Sequence, residues 1–324
     1  MKLPRRKFLH LAAGAAALPA ISRVAWAQAY PSRPVRIVVT FPAGSTSDTL
    51  ARPVGQWLSE RLGQPFIIDN RPGAGGTIGT EAVVRSPADG YTLLLVSGAH
   101  TVNETLYDKL NFNFIRDIAP IAGISRENYV MVINPSFPAK TVPEFVAYAH
   151  ANPGKINMAS AGIGTSSHLA GELFKMMTSI NLVHIPYRGS PPALTDLIAG
   201  QVQVFFITTA ASIGYIRAGT LRALAVTATR SKTLPDIPTV GEFVPNYEAT
   251  AVWGLGAPRN TPTEIINKLN KEVNAAFADP KMNSRLANLG STPLPGSPAD
   301  FGKLIAEEIE KWGKVVKSVG IKAD

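Results

Sequence analysis

Residues 38 to 52, VVTFPAGSTSDTLAR, run a β-branched stretch into a turn of glycine and hydroxyl side chains, and then into a helical pattern. Ser45, Thr46 and Ser47 place hydroxyls beside the first amides of that helix. Those amides have no intrahelical partner, and the aligned peptide dipoles put roughly half a positive charge on them. The combination suits an anion. It also suits plain N-capping, for which Ser, Thr and Asp are preferred. A second loop repeats the arrangement: GTSSHLA at 164–170 follows another β-prone run and opens another helix, with Gly162 and Gly164 for tight turns and Thr165 and Ser166 as donors. The glycine-rich NRPGAGGTIGT at 70–80 is a third candidate turn. Matching loops in two places favour a ligand over capping alone.

Phosphate is a poor fit for that ligand. A Walker loop needs Lys followed by Ser or Thr, and neither GSTSDT nor GTSSHL contains a lysine. The turn at Gly73, Gly75 and Gly76 misses the dinucleotide fingerprint, because its third glycine would fall at Ile78. A carboxylate is the better candidate.

Catalysis has little to work with. The chain has no cysteine, which removes disulfides, thiolate chemistry and Cys-based metal sites together. It has no G-x-S-x-G elbow and no H-E-x-x-H. Beyond residue 29 the histidines are His100, His150, His168 and His184. His168, in the first turn of its helix, either bonds a ligand or braces its loop. His184, inside the apolar NLVHIPY, reads as a core or sheet-end histidine. Asp48 can complement the helix dipole, order its loop or meet a cationic group of the ligand. A Ser, His168 and Asp48 triad has no local motif behind it. The reading is therefore a binding protein with no catalytic residue, cofactor or metal; an exported hydrolase is the opposing hypothesis.

The N-terminus, MKLPRRKFLHLAAGAAALPAISRVAWAQA, has a basic start, an apolar run from Phe8 to Ala20 and an Ala-x-Ala pattern at 25–27. That is the pattern of an export signal, cleaved after Ala27 or Ala29, and the apolar run is short of the ~20 residues that span a bilayer. Arg5-Arg6 resembles a twin-arginine signal, although ordinary secretory signals also begin with basic residues, and a retained anchor is the blander alternative. Residues 1–29 hold Lys2, Arg5, Arg6, Lys7 and Arg23 and no acid, so cleavage takes the formal charge from +9 to +4. Basic and acidic residues are interspersed through the rest, which argues against nucleic-acid binding. No later stretch is long and apolar enough for membrane embedding.

These loops have to be held by alternating strands and helices. VRIVVTF, FIIDN, TLLLVSG, INMASA, NLVHIPY, VQVFFIT and LRALAVTAT read as strands. Helical patterns fall at 46–62, from 77, and at 165–178, 191–199 and 211–218. Short apolar runs between helices predict parallel sheets covered by helices, in an α/β fold of two layered domains. Crossings between them are expected around DIAPIAGISRENYVMVINPS and after LRALAVTATRSKTLPDIPTV, giving a first lobe of 30–122 plus 229–324 and a second of 123–228. Ile265, Ile266, Leu269, Val273, Ala276 and Phe277 form one packing stripe. Phe301, Leu304, Ile305, Ile309, Trp312, Val315, Val316 and Val319 form another.

YPSRPVRIVVTFPAGSTSD, DNRPGAGGTIGTEAV, ASAGIGTSSHLAGELF, HIPYRGSPPALTDLIAGQV, IRAGTLRALAVT and LPDIPTVGE, in this order, resemble the extracytoplasmic solute-binding proteins of the tripartite tricarboxylate transporter family, also called Bug receptors. The resemblance implies a periplasmic binding protein type II-like fold, two α/β lobes joined by crossing strands that close as a Venus flytrap. It implies a monomer in the periplasm that captures a small organic carboxylate and hands it to the membrane permease subunits of the transporter; an orphan sensor subunit would bind in the same way. Carried onto this chain, the contacts come from Ser45, Thr46, Ser47, Asp48, Gly75, Gly76, Gly98 and Ala99 of the first lobe. The second lobe offers Ala161, Gly162, Gly164, Thr165, His168, Tyr187, Gly189 and Thr208. Two positions depart from the family pattern: Ser45 stands where its first loop has a second glycine, and Phe206-Ile207-Thr208-Thr209 replaces a stretch of Phe-Asp-Asn character.

Overall fold

The computed structural model describes residues 30–107, 109–288 and 290–321. The export-signal reading, with its arginine pair and cleavage positions, falls outside the described residues.

Strands β1 (Val35–Val39), β2 (Phe66–Asn70) and β3 (Thr92–Val96) pair in parallel in the order β2-β1-β3, joined by helices α1 (Thr46–Leu62) and α2 (Thr77–Val84). Ser45 caps the start of α1, and Gly63 ends it at φ 72°, the left-handed conformation that glycine adopts without a Cβ penalty. Leu50, Ala51, Val54 and Leu58 are its buried face. Helices α3 (Gly98–Leu106) and α4 (Phe114–Asp117) lead into β4 (Ile118–Ile133), which is 16 residues long.

A second parallel group follows. It contains α5 (Val142–Ala151), β5 (Asn157–Ser160), α6 (Ser166–Thr178), β6 (Val183–Pro186), α7 (Ser190–Ile198), β7 (Val204–Thr208), α8 (Thr209–Arg217) and β8 (Arg222–Val226). Strand β5 pairs in parallel with β6 and β7. The chain closes with β9 (Thr250–Pro258), α9 (Thr263–Ala276), α10 (Pro280–Asn288), β10 (Thr292–Pro293) and α11 (Pro298–Val319).

The purely parallel sheets expected from the sequence are corrected to a mixed sheet. The strand path is β2-β1-β3-β9-β4-β7-β5-β6, with β9 antiparallel to β3 and β4, and β4 antiparallel to β7 and β8. The reason is topological: a chain that crosses between two groups and comes back runs its crossing strands in opposite directions, and here they bond to each other. Register runs from Ile118↔Pro258 to Asn128↔Thr250, after which residues 129–133 of β4 pair with β7. Strand β9 escaped the sequence reading because Gly254 and Gly256 break its β-prone pattern. Packing explains Gly254, where a Cβ would lie 2.1 Å from the Phe301 ring.

Both C-terminal stripes pack inward. Helix α9 buries Ile266, Leu269, Val273 and Ala276, and α11 buries Phe301, Ile305, Trp312 and Val316. Helix α11 lies across α3, β4 and α6, so it touches both parallel groups.

Candidate functional site: a cleft edged by helix N-termini

Five helices point their N-termini at one cleft between the parallel groups. Ser45 caps α1, Ser97 caps α3, Thr165 caps α6, Gly189 precedes α7, and Thr208 caps α8. The cleft encloses about 450 Å³, including its open mouth. Its polar lining is hydroxyl: Ser45, Thr46, Ser47, Ser97, Tyr129, Thr165, Ser166, Ser167, Ser190 and Thr208. Its apolar lining is Phe41, Ala99, Ala161, Ile207 and Trp253, with Gly98 between. No charged side chain is among them.

The first loop is shaped by Asp48. Its Oδ2 accepts the Gly44 N–H at 2.9 Å, where Gly44 turns at φ 78°, and Arg52 grips both carboxylate oxygens at 2.8 and 2.9 Å. Burial pulls the Asp48 carboxyl upward, but the hydrogen bonds from Arg52, Gly44 and Asn70 outweigh it and hold the group below its ordinary value. Asp48 is thus committed to the loop. Ser47 Oγ accepts the indole N–H of Trp253 at 3.2 Å, which ties the loop to β9. Thr46 Oγ1 lies 2.6 Å from Thr208 Oγ1, a hydroxyl pair joining the N-termini of α1 and α8.

At α3, the Ser97 N–H donates to His100 Nδ1 at 2.8 Å. That fixes the proton on Nε2, which faces Thr40 Oγ1 at 3.3 Å. Burial pushes His100 down to about 4.

The second loop is built in the same way. Ser167 Oγ accepts the Ala161 N–H at 3.0 Å, Thr165 Oγ1 donates to Gly162 O at 2.8 Å, and His168 Nδ1 accepts the Gly164 N–H at 3.1 Å. His168 stacks on His184 with centroids 3.7 Å apart, and His184 Nε2 lies 2.6 Å from Ser160 Oγ. Burial, with His168 second, pushes His184 down to about 3.

A larger space of about 1010 Å³ adjoins the first and shares Phe41 and Ala161 with it. Gly73 to Gly76, Gly162, Tyr187, Arg188 and Gly189 are on its wall. The Tyr187 hydroxyl donates to Asp196 at 2.6 Å; burial first and that acid second push it up to about 12.

Of the residues expected from the sequence, Ser45, Thr46, Ser47, Gly98, Ala99, Ala161, Thr165 and Thr208 line the cleft. Gly75, Gly76, Gly162, Tyr187 and Gly189 line the adjoining space. Asp48, Gly164 and His168 lie on neither wall. Asp48 and His168 brace their loops, and Gly164 is packed so closely that a Cβ would lie 1.9 Å from Leu106 Cδ2. Ser166, expected as a donor, is on the cleft wall as well, whereas Phe41, Ser97, Tyr129, Ser167, Ser190, Ile207 and Trp253 were missed as lining. The serines sit within or beside the quoted loops and were within reach; Tyr129 and Trp253 come from the crossing strands, where no local motif marks them. Among the described residues no group of three or more His, Cys, Asp or Glu side chains is placed to hold a metal ion, and no helix is long and apolar enough to cross a membrane.

Protein BugT of Bordetella pertussis is 36% identical over 300 residues, 91% of this chain and 92% of that protein. An R. palustris protein solved with adipate superposes with a TM-score of 0.88 at 36% identity, covering 90% of this chain and 99% of the other. MatC from Rhodopseudomonas palustris, solved with bound malate, gives 0.84 at 32% identity over 89% and 100%. The sequence profile described as tripartite tricarboxylate transporter family receptor matches residues 50–321, and this chain belongs to that family.

Proposed function

We propose that this protein is a periplasmic receptor that clamps one small organic carboxylate in the cleft and delivers it to the permease of a tripartite tricarboxylate-type transporter. The observation that carries the reading is a cleft lined by hydroxyls and edged by five helix N-termini, with no charged side chain among its lining. Such a cleft can neutralise an anion with fixed dipoles alone. The adipate and malate held by the two relatives support the ligand class. In this reading residues 30–122 and 229–324 form one lobe and 123–228 the other, and closure brings their loops together on the ligand of a monomer.

Charge-assisted hydrogen bonds of ~1.5 to 3 kcal/mol each, a handful of them, suffice for micromolar affinity after the cost of closure. With no acid on the wall to receive an ammonium, the ligand is an acid without an amino group, and Phe41, Ile207 and Trp253 take its carbon body.

Thermal shift across mono- and dicarboxylates, with the matching amino acids alongside and an ester-hydrolysis screen in parallel, tests the proposal. Stabilisation by a plain acid and none by its amino counterpart is the expected result. Ester turnover abolished by Ser45→Ala, with no acid stabilising the fold, would overturn it.

A further inference from the structure

Glu127 is a buried carboxylate that the site described above does not use. It sits in β4, 1% exposed, and no ion pair involves it among the described residues. Ser291 donates a short hydrogen bond to its Oε1, while among the described residues no group is within hydrogen-bond geometry of Oε2. A buried acid with an orphaned oxygen is costly, so its place in the fold calls for a reason.

Side chains alternate along a strand, and partners directly across an antiparallel pair share a face. Ser125 pairs with Trp253 and Glu127 with Ala251. Tyr129, two residues on, and Trp253 both line the cleft. Glu127 therefore lies on the cleft-facing side of the crossing ribbon, just behind the lining. The Ala210 N–H, second in α8, also contributes to its carboxyl. Thr208, which caps that same helix, is on the cleft wall. The N-terminus of α8 thus has the cleft on one side and Glu127 on the other.

Among the described residues no cation acts on the Glu127 carboxyl. On β4, Tyr129 is kept neutral by burial and by the neighbouring Glu127 and Glu308. Glu308 of α11 accepts the Trp312 indole N–H at 2.8 Å. Strand β9 places Ala251 opposite it, α8 brings the Ala210 N–H, and the segment before β10 brings Ser291. Tyr247 lies beyond Tyr129, and Arg126 projects from the opposite face of β4 by strand alternation.

We propose that Glu127 sets the affinity of the cleft for anions through its own proton: neutral, it leaves the α8 N-terminus to the ligand, and ionised, it repels the ligand. The inference rests on the carboxylate reading above and adds its regulation. Burial already pushes the Glu127 carboxyl up to about 8, and a second negative charge beside it raises it further. By linkage, ligand uptake near that pH takes up a proton, and affinity falls as pH rises through it. A further rise of about one unit on binding corresponds to about tenfold weaker binding on the alkaline side.

The test is calorimetric titration of the wild-type protein and of Glu127→Gln with adipate and with malate at pH 6.5, 8 and 9.5, in two buffers of different ionisation enthalpy. Wild type is expected to bind about tenfold more weakly at pH 9.5 than at pH 6.5, with proton uptake near pH 8. Glu127→Gln is expected to be flat with pH and to bind more tightly than wild type at pH 9.5. Should the variant fail to fold, carboxyl-carbon NMR titration of wild-type Glu127 with and without the acid reads the same coupling. Binding of equal strength at all three pH values, or the same slope in the variant, overturns this inference alone. Failure of both acids to bind at pH 6.5 overturns the carboxylate reading together with it.

Discussion

Gly98→Ala separates closure from folding. Gly98 opens α3 on one side of the cleft and faces Ser166 of α6 on the other; a Cβ there would lie 2.0 Å from Ser166 Oγ and 3.2 Å from Ser166 Cβ. Rotating the serine clears the oxygen but not the carbon, so the two helix ends must part by a few tenths of an ångström. The serine oxygen also leaves the neighbourhood of the Tyr129 hydroxyl. Overpacking of this kind costs about 1 to 3 kcal/mol, and under the proposed closure it falls on the closed form, because the residues come from opposite sides of the cleft. That converts to roughly 5- to 150-fold weaker binding. Gly98 has no positive φ, so alanine in the first turn is neutral or mildly favourable for the helix and the ligand-free protein keeps its stability. Calorimetry with adipate should show the affinity loss, while scanning calorimetry without ligand should show Tm within about 2 °C of wild type. Unchanged affinity would mean that the 98–166 contact is not made on closure. A fall of several degrees in the ligand-free Tm would place the contact in the resting state and refute the reasoning.

Thr46→Val and Thr208→Val each remove the 2.6 Å hydroxyl pair between α1 and α8. Each is expected to weaken ligand binding by about 3- to 10-fold, and the double variant by little more than either, read from a double-mutant cycle. Asp48→Asn weakens the grip on Gly44 and Arg52 and so loosens the first loop. Titration should show affinity lower by about tenfold with the rank order of acids unchanged, since Asp48 is not on the cleft wall. His100 and His184 are held at about 4 and about 3, below the ordinary 6.5, so the unfolded chain takes up their protons first. Stability is then expected to fall as pH drops from about 6.5 toward 4 and 3. His100 accounts for about 3 kcal/mol of that loss by pH 4, and His100→Gln should flatten the acid limb of a Tm-versus-pH curve.

Much of the local structure was legible because it is set by neighbours in the chain. Ser45 and Gly63 bound α1 as cap and stop, Thr165 caps α6, and the glycines of the two loops turn where their spacing required. The α9 and α11 stripes bury the faces that their 3.6-residue period dictates. Hydroxyl-rich helix starts without a lysine are likewise a local signal, one that favours an anion other than phosphate.

What the sequence alone left open depends on contacts between distant segments. Strand β9 has no strong local signal, and it exists because β3 and β4 flank it and Phe301 fills the space over Gly254. Helix position alone does not show what Asp48 and His168 hold, and only the fold shows that they accept the Gly44 and Gly164 N–H groups of their own loops. Tyr129, Trp253 and Glu127 gain their roles from the register of two strands more than a hundred residues apart in the chain. Capping and helical periodicity act over a few residues and are written in the chain; the pairing of crossing strands and the convergence of five helix ends are fixed only when the whole core closes.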